Sequence, residues 1–295
     1  MTTSTATGRP RPLQRAAVGR WARFAVIVAI TAITLSPLEN TVSGALGLNR
    51  LHGQGAAPGA APGAAAGTGA LTFTQWAIGL GQSLKFTLTG PALTWFENSL
   101  ALALGTVVVC VVIGAPAGYV LARGRSRAVS IYALVIFLLQ SFPGVLMLIP
   151  LFLLFAKVQL IDDLFGLGLV YLGLSLSVAV WMFSAYIATV PIELEEAAWL
   201  DGCSVIGAFF RVVLRNSLPA ILSTAIFVFL FVWNDYLAAF TFIRSNANYT
   251  AGIGLQAAGH SPLFAVLIAV PPVLIFALLN RYFSFGGVGG ALSAS

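Results

Sequence analysis

The sequence has 295 residues, of which 59% are hydrophobic and only 8% charged. A soluble domain cannot hide that much apolar surface, whereas a polytopic membrane protein is solvated by lipid and need not. The formal net charge of +6 would suit nucleic acid if the arginines formed one surface. They are instead dealt out between apolar runs, so no nucleic-acid partner is expected.

Residues 1–20 form a basic tail carrying Arg9, Arg11, Arg15 and Arg20. The apolar run at 24–37 predicts a first transmembrane segment over 21–40, although a span needs about 20 apolar residues. The alternative is a signal peptide, with a basic region, an apolar stretch and small residues behind it. Retaining the segment gives the better charge distribution. Arg123, Arg125, Arg127, Arg211, Arg215 and Arg281 then share one side with the N-terminal arginines, and only Arg50, Lys85, Lys157 and Arg244 lie opposite. By the positive-inside rule the arginine-rich side is the cytoplasm, and both termini lie there.

Residues 41–95 hold a Gly/Ala/Pro linker at 53–70, outside the bilayer, and then an interfacial segment with Trp76, Phe86 and Trp95. The core, 96–285, carries five more predicted spans, over 97–122, 128–156, 164–188, 217–243 and 262–283, and a cytoplasmic tail follows at 286–295. The expected fold is therefore all-α, with six transmembrane helices. Pro143-Gly144, Pro150 and Pro271-Pro272 predict kinks, and Gly114 with Gly118 makes a GxxxG packing face.

The loop over 191–216 is the least lipid-like part of the core. Pro191 suits the first turn of a helix, and Glu193, Glu195 and Glu196 suit the positive end of its dipole. Gly202 is a stop signal. Ser204 is a candidate N-cap for a second helix from Val205 to about Leu214. Leu194, Ala197, Ala198 and Asp201 fall on one face of the first helix. Two alanines let a partner backbone approach closely, and Glu196 beside them suits a cation on that partner. An amphipathic helix lying on the inner leaflet is the alternative, but such helices favour Lys and Arg over Glu.

With Glu196, Ala197, Ala198, Asp201 and Gly202, then Phe209 and Leu218-Pro219, the loop resembles the EAA loop of bacterial ABC-importer permeases. The branch it resembles is the carbohydrate one, which includes the maltose-system inner subunit. Asn98-Ser99, Tyr119-Val120-Leu121-Ala122-Arg123, Phe142-Pro143-Gly144, Pro150-Leu151, Val190-Pro191, Leu194-Glu195 and Trp233-Asn234-Asp235 extend the resemblance over about 95–285. It implies an inner-membrane permease subunit that forms half of a carbohydrate path. Glu195, Glu196, Ala197, Ala198, Asp201 and Gly202 would couple it to an ATPase. The implied partners are a second permease, two cytoplasmic ATP-binding subunits holding ATP and Mg, an extracytoplasmic solute-binding protein and the bilayer. Three positions depart from the family pattern: Arg215 stands where a proline is common, Cys203 replaces an alanine, and Ser177 replaces a proline within a span.

Asn234 and Asp235 lie about 23 Å beyond Pro219 at 1.5 Å per residue, toward the outer end of a span. An intramembrane carboxylate is a candidate for the translocation path, or for ion coupling in a stand-alone secondary transporter; a structural helix contact is the other possibility. The chain has no phosphate-binding loop. His52, His260, Cys110 and Cys203 have no metal-ligand spacing. No enzymatic activity, cofactor or metal is therefore expected of this chain.

Overall fold

A computed structural model describes residues 84–87, 89–258 and 261–283, together with positions 24, 28, 31, 78 and 81. The chain divides into two units, Met1–Gly81 and Gln82–Ser295, and the architecture below is that of the second. The predicted segment at 21–40, the linker at 53–70, both tails and both histidines lie outside the described residues, apart from the isolated positions 24, 28 and 31.

Every regular element among the described residues is helical. Helix α1 spans Pro91–Arg123, with proline at its start and Arg123 complementing the dipole at its end. Its buried residues Ser99, Leu102, Ala103, Thr106, Cys110, Gly114 and Gly118 recur every three or four positions and form one stripe. That stripe packs on α4, Leu164–Ile187, which runs through the centre of the bundle. A Cβ added at Gly118 would lie 2.6 Å from Phe183 Cβ and 2.9 Å from both Ser184 N and Val180 O, so the GxxxG pair is a close-approach face. Asp163 caps α4 by accepting from Gly166 N at 3.3 Å.

The span predicted over 128–156 is not one helix. It is α2, Arg127–Ser141, and α3, Gly144–Lys157, bent by 96°. The cause is Pro143, which lacks an N–H and disfavours helical backbone at the residue before it; Phe142 is extended at φ −77°, ψ 131°. The span predicted over 217–243 is also divided. Helix α7, Leu218–Trp233, stops at Asn234, and the short α8, Leu237–Phe242, follows. Helix α5, Glu193–Leu200, and α6, Val205–Asn216, form the intervening loop, and α6 meets α7 at 72°. One turn of α6, Phe209–Val213, is π-helical. A 3-10 turn at Asn246–Asn248, α9 at Ala251–Ala257 and α10 at Pro262–Phe283 complete the described chain.

Two helices, Leu84–Arg123 and Leu164–Ile187, are long and apolar enough to cross a bilayer, and up to four spans result if each bent pair counts as one. The protein is an all-α, polytopic membrane protein, but the six predicted spans are not reached among the described residues. The main core joins α1, α3, α4, α7 and α8 through Leu102, Leu148, Tyr171, Phe229, Trp233 and Phe242. A second cluster, including Phe183, Ile187, Phe209 and Val213, lies under the α5–α6 loop. Trp95, Ala251 and Phe264 form a third at the opposite end of α1.

Candidate functional site

The α5–α6 loop is a short helical knob fixed by local rules. Glu193, Glu195 and Glu196 occupy the first turn of α5, where the helix dipole favours acids. The helix starts at Glu193, so Pro191 lies just before it and not in its first turn. At the other end Gly202 adopts φ +86°. Its N–H donates to Trp199 O at 3.0 Å, and Cys203 N–H donates to Ala198 O at 2.9 Å. This paired closure is a Schellman motif, which glycine enters without strain. Ser204 then caps α6, its Oγ accepting from Gly207 N at 3.1 Å.

The sequence-predicted residues separate onto two sides of this knob. Glu196, Ala197, Asp201 and Gly202 are exposed, and Ala198 is half-buried. Beside them stand exposed apolar side chains: Leu194, Trp199, Val205, Ile206, Phe210 and Leu200, the last 90% exposed. An acidic and apolar surface of this kind suits a protein groove carrying a cation.

Glu195 faces the other way and is fully buried. Its Oε1 accepts from Arg123 Nε at 2.8 Å and lies 2.8 Å from Arg123 Nη2, the one ion pair among the described residues. Its Oε2 accepts from Tyr119 Oη at 2.8 Å. Arg123 Nη2 also donates to Val190 O at 2.7 Å. The Tyr119 ring packs on Phe209, centroids 5.0 Å apart. Both carboxylate oxygens are thus satisfied by charge-assisted bonds, and the buried charge is paired. Read from sequence, Arg123 has a topological role and Tyr119 only a place in a motif. Their four-residue spacing at a helix end was the one local sign of a shared binding point.

Asn234 and Asp235 sit in the break between α7 and α8. Asn234 is exposed, and its Nδ2 donates to Leu230 O at 2.8 Å. Asp235 Oδ2 accepts from Ala238 N at 3.0 Å, Ala239 N at 3.2 Å and Tyr171 Oη at 3.0 Å. These bonds are those of a helix cap tied to α4, and the ion-coupling alternative finds no support in them.

A further polar node joins loops away from the α5–α6 knob. Asp162, at φ +62°, accepts on Oδ1 from Arg244 N at 2.8 Å, Ser245 N at 2.9 Å and Ser245 Oγ at 3.0 Å. Burial raises the carboxyl's affinity for a proton, but the donors from Ser245, Arg244 and Asn248 prevail and hold it below the usual aspartate value. Close by in the chain, Trp95 Nε1 donates to Asn246 O at 2.9 Å, and Asn98 Nδ2 donates to Ala247 O and Tyr249 O at 2.8 and 3.0 Å. Ser99 Oγ accepts from Ala251 N at 2.8 Å. The N-terminal part of α1 is thereby stitched to residues 246–251.

The site is thus a helical bundle broken at Pro143 and at the polar cap of Asp235, with one short amphipathic knob between α4 and α7. Residues 111–286 match the family described as binding-protein-dependent transport system inner membrane component. Over 203 residues the chain is 37% identical to a putative ABC transporter permease of Streptomyces antibioticus, covering 66% of this chain and 89% of the relative. Over 217 residues it is 31% identical to an arabinooligosaccharide transport permease of Halalkalibacterium halodurans, covering 70% and 77%. A chain of the crystal structure of a bacterial ABC transporter involved in alginate import superposes with a TM-score of 0.70 at 16% identity, over 94% of this chain and all of that one. That likeness speaks for the fold alone. The chain belongs to the family of binding-protein-dependent transport system inner membrane components. As such it is a multi-pass permease of an ABC importer.

Proposed function

We propose that this permease forms one half of an import path for a carbohydrate and is driven by a cytoplasmic ATPase docked on α5. The observation that carries this is the division of α5 into two faces. Glu196, Ala197, Trp199 and Leu200 stand free, while Glu195 ties the helix to the bundle. A knob that transmits force needs one face for the motor and one for the load. The sugar named for the arabinooligosaccharide relative supports a carbohydrate as the solute class. A second permease completes the path, and an extracytoplasmic binding protein delivers the solute. Two ATP-binding subunits hold ATP and Mg. The α5 end of the bundle lies in the cytoplasm, with both chain termini on that side, in line with the arginine distribution.

The test is affinity purification of the tagged chain in mild detergent after co-expression with its neighbouring transport genes. Recovery of a second permease and an ATPase is expected, with the ATPase lost from Glu196→Lys combined with Gly202→Val. Recovery of the chain alone, folded and monodisperse, would refute the proposal.

A further inference from the structure

We propose that Arg123, Glu195 and Tyr119 form the joint through which movement of α5 is passed to α1, and that α1 carries it to residues 246–251. The proposal rests on the coupling function assigned to α5 above.

Of the eight residues of α5, Glu195 alone is buried. The side-chain hold of this helix on the bundle is therefore concentrated in one carboxylate. Beyond that carboxylate, α5 is joined by the turns 188–192 toward α4 and 201–204 toward α6, and packs on the first half of α6. The carboxylate does not meet either of these chain neighbours. It meets the last residue of α1, 72 positions earlier, and Tyr119 one turn before it. The same guanidinium holds Val190 O, so the turn leading into α5 is bound at the same point. Tyr119 in turn touches Phe209, where the π-helical turn of α6 begins. One node thus gathers α1, both helices of the knob and the turn before it.

What α1 does with a displacement follows from its own contacts. It is one continuous helix of 33 residues. At Gly118 its backbone lies against that of α4, so it cannot tilt there without moving α4. Its N-terminal part holds the carbonyls of Asn246, Ala247 and Tyr249 through Trp95 and Asn98. Arg123 and Glu195 are positioning residues in this scheme: neither touches solute or nucleotide. Their arrangement joins the motor-facing knob to the opposite end of the bundle through one continuous helix, which keeps its helical path through the interior Pro116, a physical route of the kind that coupling between distant sites requires.

The decisive variant is Tyr119→Phe with Arg123→Met and Glu195→Met. It removes every polar side chain of the node together, leaving no buried charge unpaired, and keeps apolar volume, a change that folded proteins tolerate well. The complex, purified with its ATPase and second permease and reconstituted in vesicles, is assayed for ATP hydrolysis and solute uptake in the same preparation. The variant is expected to co-purify with the ATPase and to hydrolyse ATP, while solute moved per ATP falls by about tenfold, within the range typical of coupling between sites. Arg123→Lys, which keeps the charge and one donor toward Glu195, should recover part of that ratio. A variant with the wild-type ratio would overturn the joint and leave the node a structural strut. Loss of ATPase recovery together with uptake would also overturn it, assigning the node to docking. A wild-type complex that purifies without any ATPase would instead sink the coupling function beneath it.

Discussion

Gly118→Ala tests the packing on which the whole bundle depends. The added methyl would sit 2.6 Å from Phe183 Cβ and 2.9 Å from Ser184 N and Val180 O. Ordinary contacts begin near 3.4 Å, so α1 and α4 are too close by about 0.5–0.8 Å. Two of the three obstructing atoms belong to the α4 backbone, so no rotamer change relieves the clash; the helices must separate. Overpacking of this kind costs about 1–3 kcal/mol, against which the better helix propensity of alanine returns at most about 1 kcal/mol. Gly114→Ala is the matched control. Its methyl would meet Phe183 Cδ2 at 3.4 Å and Ala179 Cβ at 3.5 Å, which are ordinary contacts. Thermal unfolding in one detergent should place Gly118→Ala below wild type and Gly114→Ala at or above it. Equal midpoints for the two variants would refute the close approach.

At Gly202 a Cβ meets nothing within 4 Å, so substitution is strained only by φ +86°. Gly202→Ala should therefore weaken ATPase co-purification by the strain of left-handed backbone, about 1–2 kcal/mol, and Gly202→Asn by less. Glu196→Lys should leave the permease folded and inserted but reduce ATP-driven uptake; normal uptake would remove Glu196 from the docking surface. The node at Asp162 should be pH-dependent. Its carboxyl lies below the ordinary aspartate value in the folded state, so its stabilisation is present above about pH 4 and is lost as pH falls through the folded value. The protection of the Arg244 and Ser245 amides, relative to their intrinsic exchange rate at each pH, should fall on acidification, and Asp162→Asn should lower it at neutral pH and abolish that dependence. Unchanged protection in the variant would show that other contacts hold this loop.

Local rules made much of the chain readable in advance. Apolar length fixed α4, and the stop at Gly202 and cap at Ser204 drew the α5–α6 loop, because each depends on residues within one turn. The proline at 143 announced a break but not its size, since a missing N–H and an extended residue before it do not by themselves specify the 96° angle. Asp235 stood out as a carboxylate in an apolar run. Its partner Tyr171 lies 64 residues away, and without it a helix cap and a transport site look alike. Glu195 and Glu196 are neighbours of the same type, and only the tertiary position of Arg123 distinguishes the inward one from the outward one.

The π-helical turn at Phe209–Val213 holds one residue more than an α-helical path through the same hydrogen bonds would. In an α-helix each residue adds 100° of rotation and 1.5 Å of rise. Deleting a single residue there would close the turn to α-helical bonding and leave the segments on either side near their present rotational register, because the wide turn has already absorbed the extra residue. The wide turn is therefore a buffer, letting the chain change length by one residue beside the knob without turning it. A one-residue change in the regular parts of α6 would instead rotate the knob by about 100° about the helix axis, so Phe209–Val213 is a place where chain length can vary while Glu196, Ala197 and Leu200 keep their aim.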